Sequence, residues 1–168
     1  EDFAKYPRDL RGDAEICRRA GADLVFAPDP EELLAMKSMI QLKADRSLTT
    51  RLCGPVRPGH FDGVVTIVAH FFRILRPDRA YFGLKDYQQF LVIRAMTRKV
   101  FGERPEIVPV PTARERSGLA MSSRNRYLKP AEKRAAPKLH AALAMLARQV
   151  RTGMPTAAQA ARIFRGRL

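Results

Sequence analysis

The chain contains no tryptophan, only two cysteines and three histidines, and few aromatic residues (8% of the total). Cys17 and Cys53 stand far apart without a C-x-x-C spacing. With Cys17 on a helical face beside Leu10 and Ala14, buried thiols in a reducing, cytoplasmic compartment are expected. His60, His70 and His140 form no H-x-x-x-H or H-E-x-x-H arrangement, so a protein-built transition-metal site is not expected. No apolar run approaches the roughly 18 residues that cross a bilayer. The longest candidate, Val64 to Leu75, is interrupted by Thr66, His70 and Arg73, so no membrane partner is expected. A signal peptide is also absent, and the first residue is Glu1, which suggests a fragment or a processed product.

Positive charge, by contrast, is abundant. Thirty-one Lys and Arg against 17 Asp and Glu leave a formal net charge of +14. Such a balance suits phosphate-rich partners, nucleic acid included. The basic residues are nevertheless scattered, and no recognised nucleic-acid motif accompanies them. A basic surface around a small anionic substrate explains the charge equally well. With 168 residues, 46% of them hydrophobic, the chain can form one good core, or one core with a small appendage.

Along the chain, helical and strand-like segments alternate. Pro7 to Arg19 reads as a helix ended by Gly21, Asp23 to Ala27 as a short buried strand, and Pro28 to Met36 as a second helix. Met39 to Thr50 alternates weakly and reads as an exposed strand. The turn-rich Arg57-Pro-Gly-His-Phe-Asp-Gly63 leads into a helix with Val64, Ile67, Val68, Phe71, Phe72 and Leu75 on one face, which Pro77 ends. Arg79 to Phe82 then reads as a buried strand, Asp86 as the cap of a further helix, and Glu106 to Val110 as another strand. That order argues for an α/β fold, a parallel sheet with right-handed crossovers over residues 1–111. Residues 112–168 read as a loop followed by a small, mainly helical and incomplete second domain. Its long helix opens at Pro130, carries Ala135, Leu139, Ala142, Leu143, Leu146 and Val150, and is stopped by Gly153 and Pro155. Thr156 and Gln159 form a capping box for a last helix.

Two stretches carry chemistry. Between the Arg79 strand and the following helix lies Gly83-Leu84-Lys85-Asp86. Glycine permits close backbone approach, lysine supplies a mobile cation, and a helix N-terminus adds partial positive charge. The same features also suit an ordinary strand–helix turn. The second stretch, Met121-Ser-Ser-Arg124, places two hydroxyls and a guanidinium on a glycine-containing loop. All three can donate to phosphate oxygens, and all three also suit a polar linker. Together the two loops could clamp one polyphosphate.

Arg57-Pro-Gly-His-Phe-Asp-Gly63, Phe82-Gly-Leu-Lys-Asp-Tyr-Gln-Gln89 and Gly118-Leu-Ala-Met-Ser-Ser-Arg-Asn125, in this order and approximate spacing, resemble the pantoate–β-alanine ligase family. That family belongs to the nucleotidyltransferase-like Rossmann proteins, so the resemblance implies that residues 1–111 form a partial Rossmann-like parallel sheet. The resemblance implies a two-step ligation: ATP and pantoate give pantoyl adenylate and pyrophosphate, and β-alanine then displaces AMP to form pantothenate, on the route to coenzyme A. It further implies that Lys85 and Arg124 are catalytic and contact the ATP phosphates, which Ser122 and Ser123 also hydrogen-bond. Gly83 and Asp86 would hold the ribose, Leu84 would lie among the ATP-binding residues, and the backbone near Ala113 and Met121 would line the adenine. Gln89 would bind pantoate, magnesium would accompany the ATP, and two copies would pair as a homodimer.

Three departures qualify this resemblance. Leu84 stands where the family pattern has glutamate, Ser117 where it has aspartate, and Met36-Lys-Ser-Met39 replaces a Tyr-Pro turn. The N-terminal H-x-G-H segment and the C-terminal strands of the family are not matched. Little or no turnover is therefore expected of this stretch alone. A nucleotide-binding remnant without catalysis and a basic nucleic-acid-binding module are the two alternative readings.

Overall fold

The computed structural model describes residues 9–35, 40–153, 159 and 162. Its helices are α1 (Leu10–Arg19), α2 (Pro30–Ala35), α3 (Arg46–Thr49), α4 (Cys53–Val56), α5 (His60–Leu75), α6 (Tyr87–Phe101), α7 (Pro130–Ala135) and α8 (Pro137–Arg151). Strand β1 (Arg79–Gly83) precedes α6, and β2 (Glu106–Val110) follows it. The two strands pair in a short parallel sheet, as a strand–helix–strand crossover requires. Two compact units result. The first is Glu1–Tyr81 with Tyr87–Val108, and the second is Phe82–Asp86 with Pro109–Leu168.

Packing of α5 against α6 forms the core of the first unit. Phe61, Val65, Ala69 and Phe72 from α5 meet Phe90, Val92, Ile93 and Met96 from α6, all buried. Each aliphatic side chain of this kind contributes about 1.5–3 kcal/mol when fully buried. Thr97 is buried as well, and its hydroxyl donates to the Ile93 carbonyl at 2.9 Å, so the polar group is satisfied.

α5 is rotated relative to the expected face. Val64, Ile67, Val68 and Phe71 are only half-buried and Leu75 is exposed, whereas Phe61, Val65 and Ala69 go inside. The helix is apolar on more than one side, so periodicity located the helix but not its inner face. It also begins at His60, three residues before the expected Gly63 boundary, because Gly59 at φ 75° allows the turn just ahead of it. Its end at Leu75 fits the stop ahead of Pro77.

Elsewhere in the first unit, α1 ends as expected. Gly21 adopts φ 87°, its N–H donates to the Arg18 carbonyl, and the Ala22 N–H donates to the Cys17 carbonyl. This is a Schellman closure. Pro7, proposed for the first turn of α1, lies outside the described residues, as do Met36 to Met39. Asp29 caps α2 by accepting the Glu31 N–H at 2.7 Å.

Two expected strands do not form. Residues 23–27 run as irregular chain, with Leu24 76% exposed, because no strand among the described residues pairs with them. Residues 40–45 are irregular too, and α3 follows them. Asp45 caps α3 through the Ser47 N–H at 2.8 Å, and the Leu42 N–H is taken by the Thr66 hydroxyl at 2.9 Å rather than by a ladder. β1 is half-exposed rather than buried, since a two-stranded sheet leaves one side of each strand uncovered. Cys17 is half-buried and Cys53 exposed, and both thiols are free, so neither is the buried group expected.

The second unit contains a tight hairpin, a 3-10 turn and the α7–α8 pair. Arg114 and Ala120 form an antiparallel bridge, closed at the tip by Gly118 at φ 91°. The single long helix expected from Pro130 is two helices. Pro137 has no N–H to continue the ladder, and the break falls at Ala136. Glu132 accepts the Lys129 N–H at 2.7 Å and so fixes the start of α7. Ala142 is buried, while Leu139, Leu143 and Val150 remain about half-exposed. Pro155 and Thr156, the latter half of the proposed capping box, lie outside the described residues.

Candidate functional site

β1 runs directly into a 3-10 turn, Leu84–Asp86, and from there into α6. There is no open loop. Asp86 is part of this turn rather than a separate capping residue, because helical geometry begins at Leu84. Gly83 is the last strand residue, and a β-carbon there would meet nothing within 4 Å, so the backbone is open on that side. Lys85 is exposed. Among the described residues no hydrogen bond or ion pair engages its ammonium group, which leaves the cation available to an anionic ligand.

Leu84 and Lys85 line a cavity of about 250 Å³ within the second unit. Thr112, Arg114, His140 and Leu143 are among its other walls. A cavity this size lies below the usual range of about 300–1,000 Å³ for whole small-molecule sites. It suits one portion of a nucleotide. Its chemistry is divided: Lys85, Arg114, Thr112 and His140 supply cationic or polar groups, while Leu84, Leu119, Leu139 and Leu143 supply apolar contact. Leu84, where the family pattern has glutamate, thus contributes hydrocarbon to this wall.

The hairpin gives this cavity a firm side. Met121 N–H donates to the Ala113 carbonyl at 2.9 Å, and the Glu115 N–H donates to the Leu119 carbonyl at 2.8 Å. Arg114 donates from Nη1 to the Gly118 carbonyl at 3.1 Å, so this guanidinium braces the tip. The Ser117 hydroxyl accepts the Leu119 N–H at 3.3 Å. Serine therefore fills the turn role that a short carboxylate side chain could also fill. Asn125 ties the hairpin to the segment after it, donating from Nδ2 to Glu115 Oε1 at 2.9 Å and to the Ala120 carbonyl at 3.1 Å.

Ser122, Ser123 and Arg124 follow immediately. The Ser122 hydroxyl accepts the Arg124 N–H at 3.3 Å and caps the 3-10 turn Ser123–Tyr127. Its own hydrogen can still be donated outward. The Ser123 carbonyl accepts from Arg126 Nε at 3.0 Å, and both Ser123 and Arg124 are exposed. In place of the expected glycine-containing loop, residues 123–127 form a 3-10 turn.

The expected nucleotide residues fall into two local groups. Gly83, Leu84, Lys85 and Asp86 share one strand end and turn. Ala113 and Met121 share a backbone hydrogen bond that leads into Ser122, Ser123 and Arg124. Gln89, three residues after Asp86 in the chain, is half-buried near the start of α6 in the first unit. Sequence reasoning missed Thr112, Arg114, Asn125 and His140. Asn125 stood within a quoted motif without an assigned role, and nothing local distinguished His140 from an ordinary helical histidine.

The first unit holds a separate cavity of about 430 Å³, lined by Lys43, Arg46, Thr49, Arg57, Phe61 and Asp62 among others. Asp62 lies between charges here. Its carboxyl is held below the usual range by the Ala44 N–H and the Lys43 ammonium, with Arg46 adding to the effect and partial burial opposing it.

Comparison with known proteins agrees with the motif pattern. The family model for pantoate-beta-alanine ligase matches residues 1–166. Pantothenate synthetase of Moorella thermoacetica is 49% identical over 158 residues, covering 94% of this chain and 55% of that protein. The pantothenate synthetase of Thermus thermophilus is 50% identical over 143 residues, 85% of this chain and 51% of its own. A crystal structure of pantothenate synthetase from Thermus thermophilus superposes with a TM-score of 0.90 at 45% identity, covering 100% of this chain and 60% of that one. The Francisella tularensis pantoate-beta-alanine ligase, solved with beta-gamma ATP and beta-alanine, gives a TM-score of 0.75 at 31% identity, over 83% of this chain and 53% of its own. The chain spans about half the length of the curated relatives it matches. A family match over nearly the whole chain, with identity near one half and a shared fold, establishes that it belongs to the pantoate–β-alanine ligase family.

Proposed function

We propose that this chain forms part of an ATP-dependent ligase that activates pantoate as its adenylate and transfers the pantoyl group to β-alanine. AMP and pyrophosphate are the other products. The observation that carries this reading is the Lys85 ammonium, which has no hydrogen bond or ion pair among the described residues and lines a cavity walled by a braced hairpin, in a chain of this family. Adenylation brings a carboxylate against an α-phosphate. Cations must offset that repulsion and stabilise charge on the equatorial oxygens of the transition state.

Lys85 and Arg124 are assigned to the phosphates, and the hydroxyls of Ser122 and Ser123 donate to phosphate oxygens. Gly83, with its open backbone, and Asp86 hold the ribose, while Leu84 gives the nucleotide an apolar contact. The backbone around Ala113 and Met121 borders the adenine. Gln89 hydrogen-bonds pantoate. ATP enters as its magnesium complex, the ion belonging to the substrate. Charge-assisted hydrogen bonds of this kind contribute about 1.5–3 kcal/mol each. The full protein is assigned as a cytoplasmic homodimer. The free thiols Cys17 and Cys53 support a reducing compartment.

The test is pantothenate formation from ATP, pantoate and β-alanine, measured on this chain and on a version completed to the length of its relatives. Turnover in the completed version alone supports the reading and locates essential groups outside residues 1–168. Absence of turnover in both, with folding shown by circular dichroism and saturable ATP binding retained, favours a nucleotide-binding protein without catalysis.

A further inference from the structure

Gln88, the glutamine beside the one assigned to pantoate, has a different and better-defined environment. Its Nε2 donates to the Leu48 carbonyl and to the Arg51 carbonyl, each at 2.8 Å. Its Oε1 accepts the Cys53 N–H at 3.0 Å. One carboxamide thus makes three hydrogen bonds to backbone more than 30 residues away in sequence. All four residues belong to the first unit.

The position of these groups explains why an amide is needed. α3 ends at Thr49 and α4 begins at Cys53. Helix ends leave carbonyls, and helix starts leave N–H groups, without intrahelical partners. Gln88 serves both ends at once, taking the Leu48 carbonyl from α3 and the Cys53 N–H from α4. The short connection between them is under strain. Leu52 has φ 55° and ψ −118° and the residue is 80% exposed, so its own packing does not hold it there. A β-carbon on Gly54 would collide with the Thr49 carbonyl oxygen, which shows how tightly the turn closes. A non-glycine residue persists in such a conformation only where its surroundings over-determine it. Gln88 grips the residues on both sides of Leu52, through the Arg51 carbonyl and the Cys53 N–H.

This turn also shapes a cavity. Thr49 and Gly54, which flank it, and Arg57, just beyond α4, line the 430 Å³ cavity with Lys43, Arg46 and Asp62. We propose that Gln88 is a positioning residue, whose carboxamide locks the Leu48–Cys53 turn and thereby sets the cationic wall of this cavity. Its action on turnover rests on the ligase reading: the cavity wall serves the carboxylate substrates, while the assigned ATP residues lie in the other unit.

Gln88→Met keeps length and helix propensity but removes all three hydrogen bonds. Gln88→Glu keeps an acceptor for Cys53 and loses both donors. Backbone amide hydrogen exchange on the full 168-residue chain reads the clamp directly. In Gln88→Met the amides from Leu52 to Arg57 are expected to exchange roughly tenfold faster or more, as befits the loss of a hydrogen bond or two. Gln88→Glu should retain part of the protection at Cys53, and α5 and α6 should be unchanged in both. Unaltered exchange at these amides, or equal acceleration throughout the first unit, overturns the positioning role.

Kinetics in whichever version turns over provides the second arm. The KM for pantoate or β-alanine should rise about tenfold in Gln88→Met with the KM for ATP within about twofold. Equal losses for all three substrates, or unchanged constants, would overturn the role in substrate handling. If wild type forms no pantothenate, the ligase reading and this kinetic role fail together, and the exchange arm still decides whether Gln88 locks the turn.

Discussion

Asp62 Oδ1 accepts the backbone N–H of Ala44 at 2.9 Å, across 18 residues of sequence. The other carboxylate oxygen takes the Lys43 ammonium at 2.9 Å. Ala44 is buried, so its amide depends on this partner. Asp62→Ala leaves the N–H unsatisfied and should cost about 1–3 kcal/mol of unfolding free energy. Asp62→Asn keeps an oxygen acceptor and should cost less. Urea unfolding of the two variants checks the order; equal, near-zero effects would show that the amide finds another partner.

The same carboxylate makes stability depend on acid. Its folded pKa lies below the unfolded value because the Ala44 N–H, and then the Lys43 ammonium, favour the charged form. A depressed folded pKa stabilises the protein fully above the ordinary aspartate value of about 4, and that contribution is lost as pH falls through the lower folded value. Asp45, whose carboxyl is lowered by the Ser47 hydroxyl and N–H, behaves in the same direction. The difference between wild type and Asp62→Asn isolates Asp62. That difference should be constant from about pH 5 to about pH 7 and shrink below about pH 4. A gap that widens in acid would contradict the assignment.

Legibility in the sequence followed how local each signal was. β2 and the strand–helix passage at Arg79 to Phe101 were readable because short apolar segments, proline punctuation and helical spacing agreed there. Gly21 was readable as a stop since its positive φ is a local requirement. Asp23 to Ala27 was not, because a strand needs a partner and sequence pattern cannot say whether one is present. α5 was found but turned, since an apolar helix with several half-buried sides has no single inner stripe. The break at Pro137 was overlooked in favour of a long apolar pattern, although proline within a helical pattern is itself a boundary signal. For the candidate site, the motifs pointed to Lys85 and the Ser122–Arg124 run. Arg114, Asn125 and His140 join that framework only through the hairpin and α8, and such contacts have no local signature.

Asn125 should matter more than its place in a polar stretch suggests. Its side-chain amide joins Glu115 and the Ala120 carbonyl, holding the hairpin against the turn that carries Ser123 and Arg124. Asn125→Ala removes both bonds and should cost about 1–2 kcal/mol of stability. ATP affinity should fall severalfold as well under the proposed function, because the turn assigned to the phosphates loses its tether. Isothermal titration and thermal unfolding on the same sample check the two effects. Lost stability with unchanged ATP affinity would detach this turn from the nucleotide.

The hairpin tip offers a backbone test. Gly118 sits at φ 91°, and an added β-carbon would approach the His140 ring at 3.5 Å, an ordinary contact. Strain, not crowding, therefore dominates Gly118→Ala, and a left-handed conformation costs a side-chain-bearing residue roughly 1–2 kcal/mol. A fall of that size in unfolding free energy is expected, with most of the loss appearing as faster amide exchange at Leu119 and Met121. A neutral effect would mean that the tip relaxes into another turn.

Lys85 gives the most direct test of the proposed catalysis. It is exposed and makes no hydrogen bond or ion pair among the described residues, so Lys85→Ala should leave the fold and its thermal midpoint nearly unchanged. Under the proposed chemistry it supplies positive charge where the equatorial oxygens of the α-phosphate carry negative charge in the transition state, and removal of one such group typically costs about a hundredfold or more in turnover. Lys85→Arg restores charge but exchanges a compact ammonium for a planar fork, so partial recovery is expected. Pantothenate formation by the three proteins, measured beside their thermal unfolding, separates the possibilities. A loss of about a hundredfold with intact folding assigns Lys85 to the phosphates, whereas unchanged turnover would remove it from the site and shift the cationic role to Arg114 or Arg124.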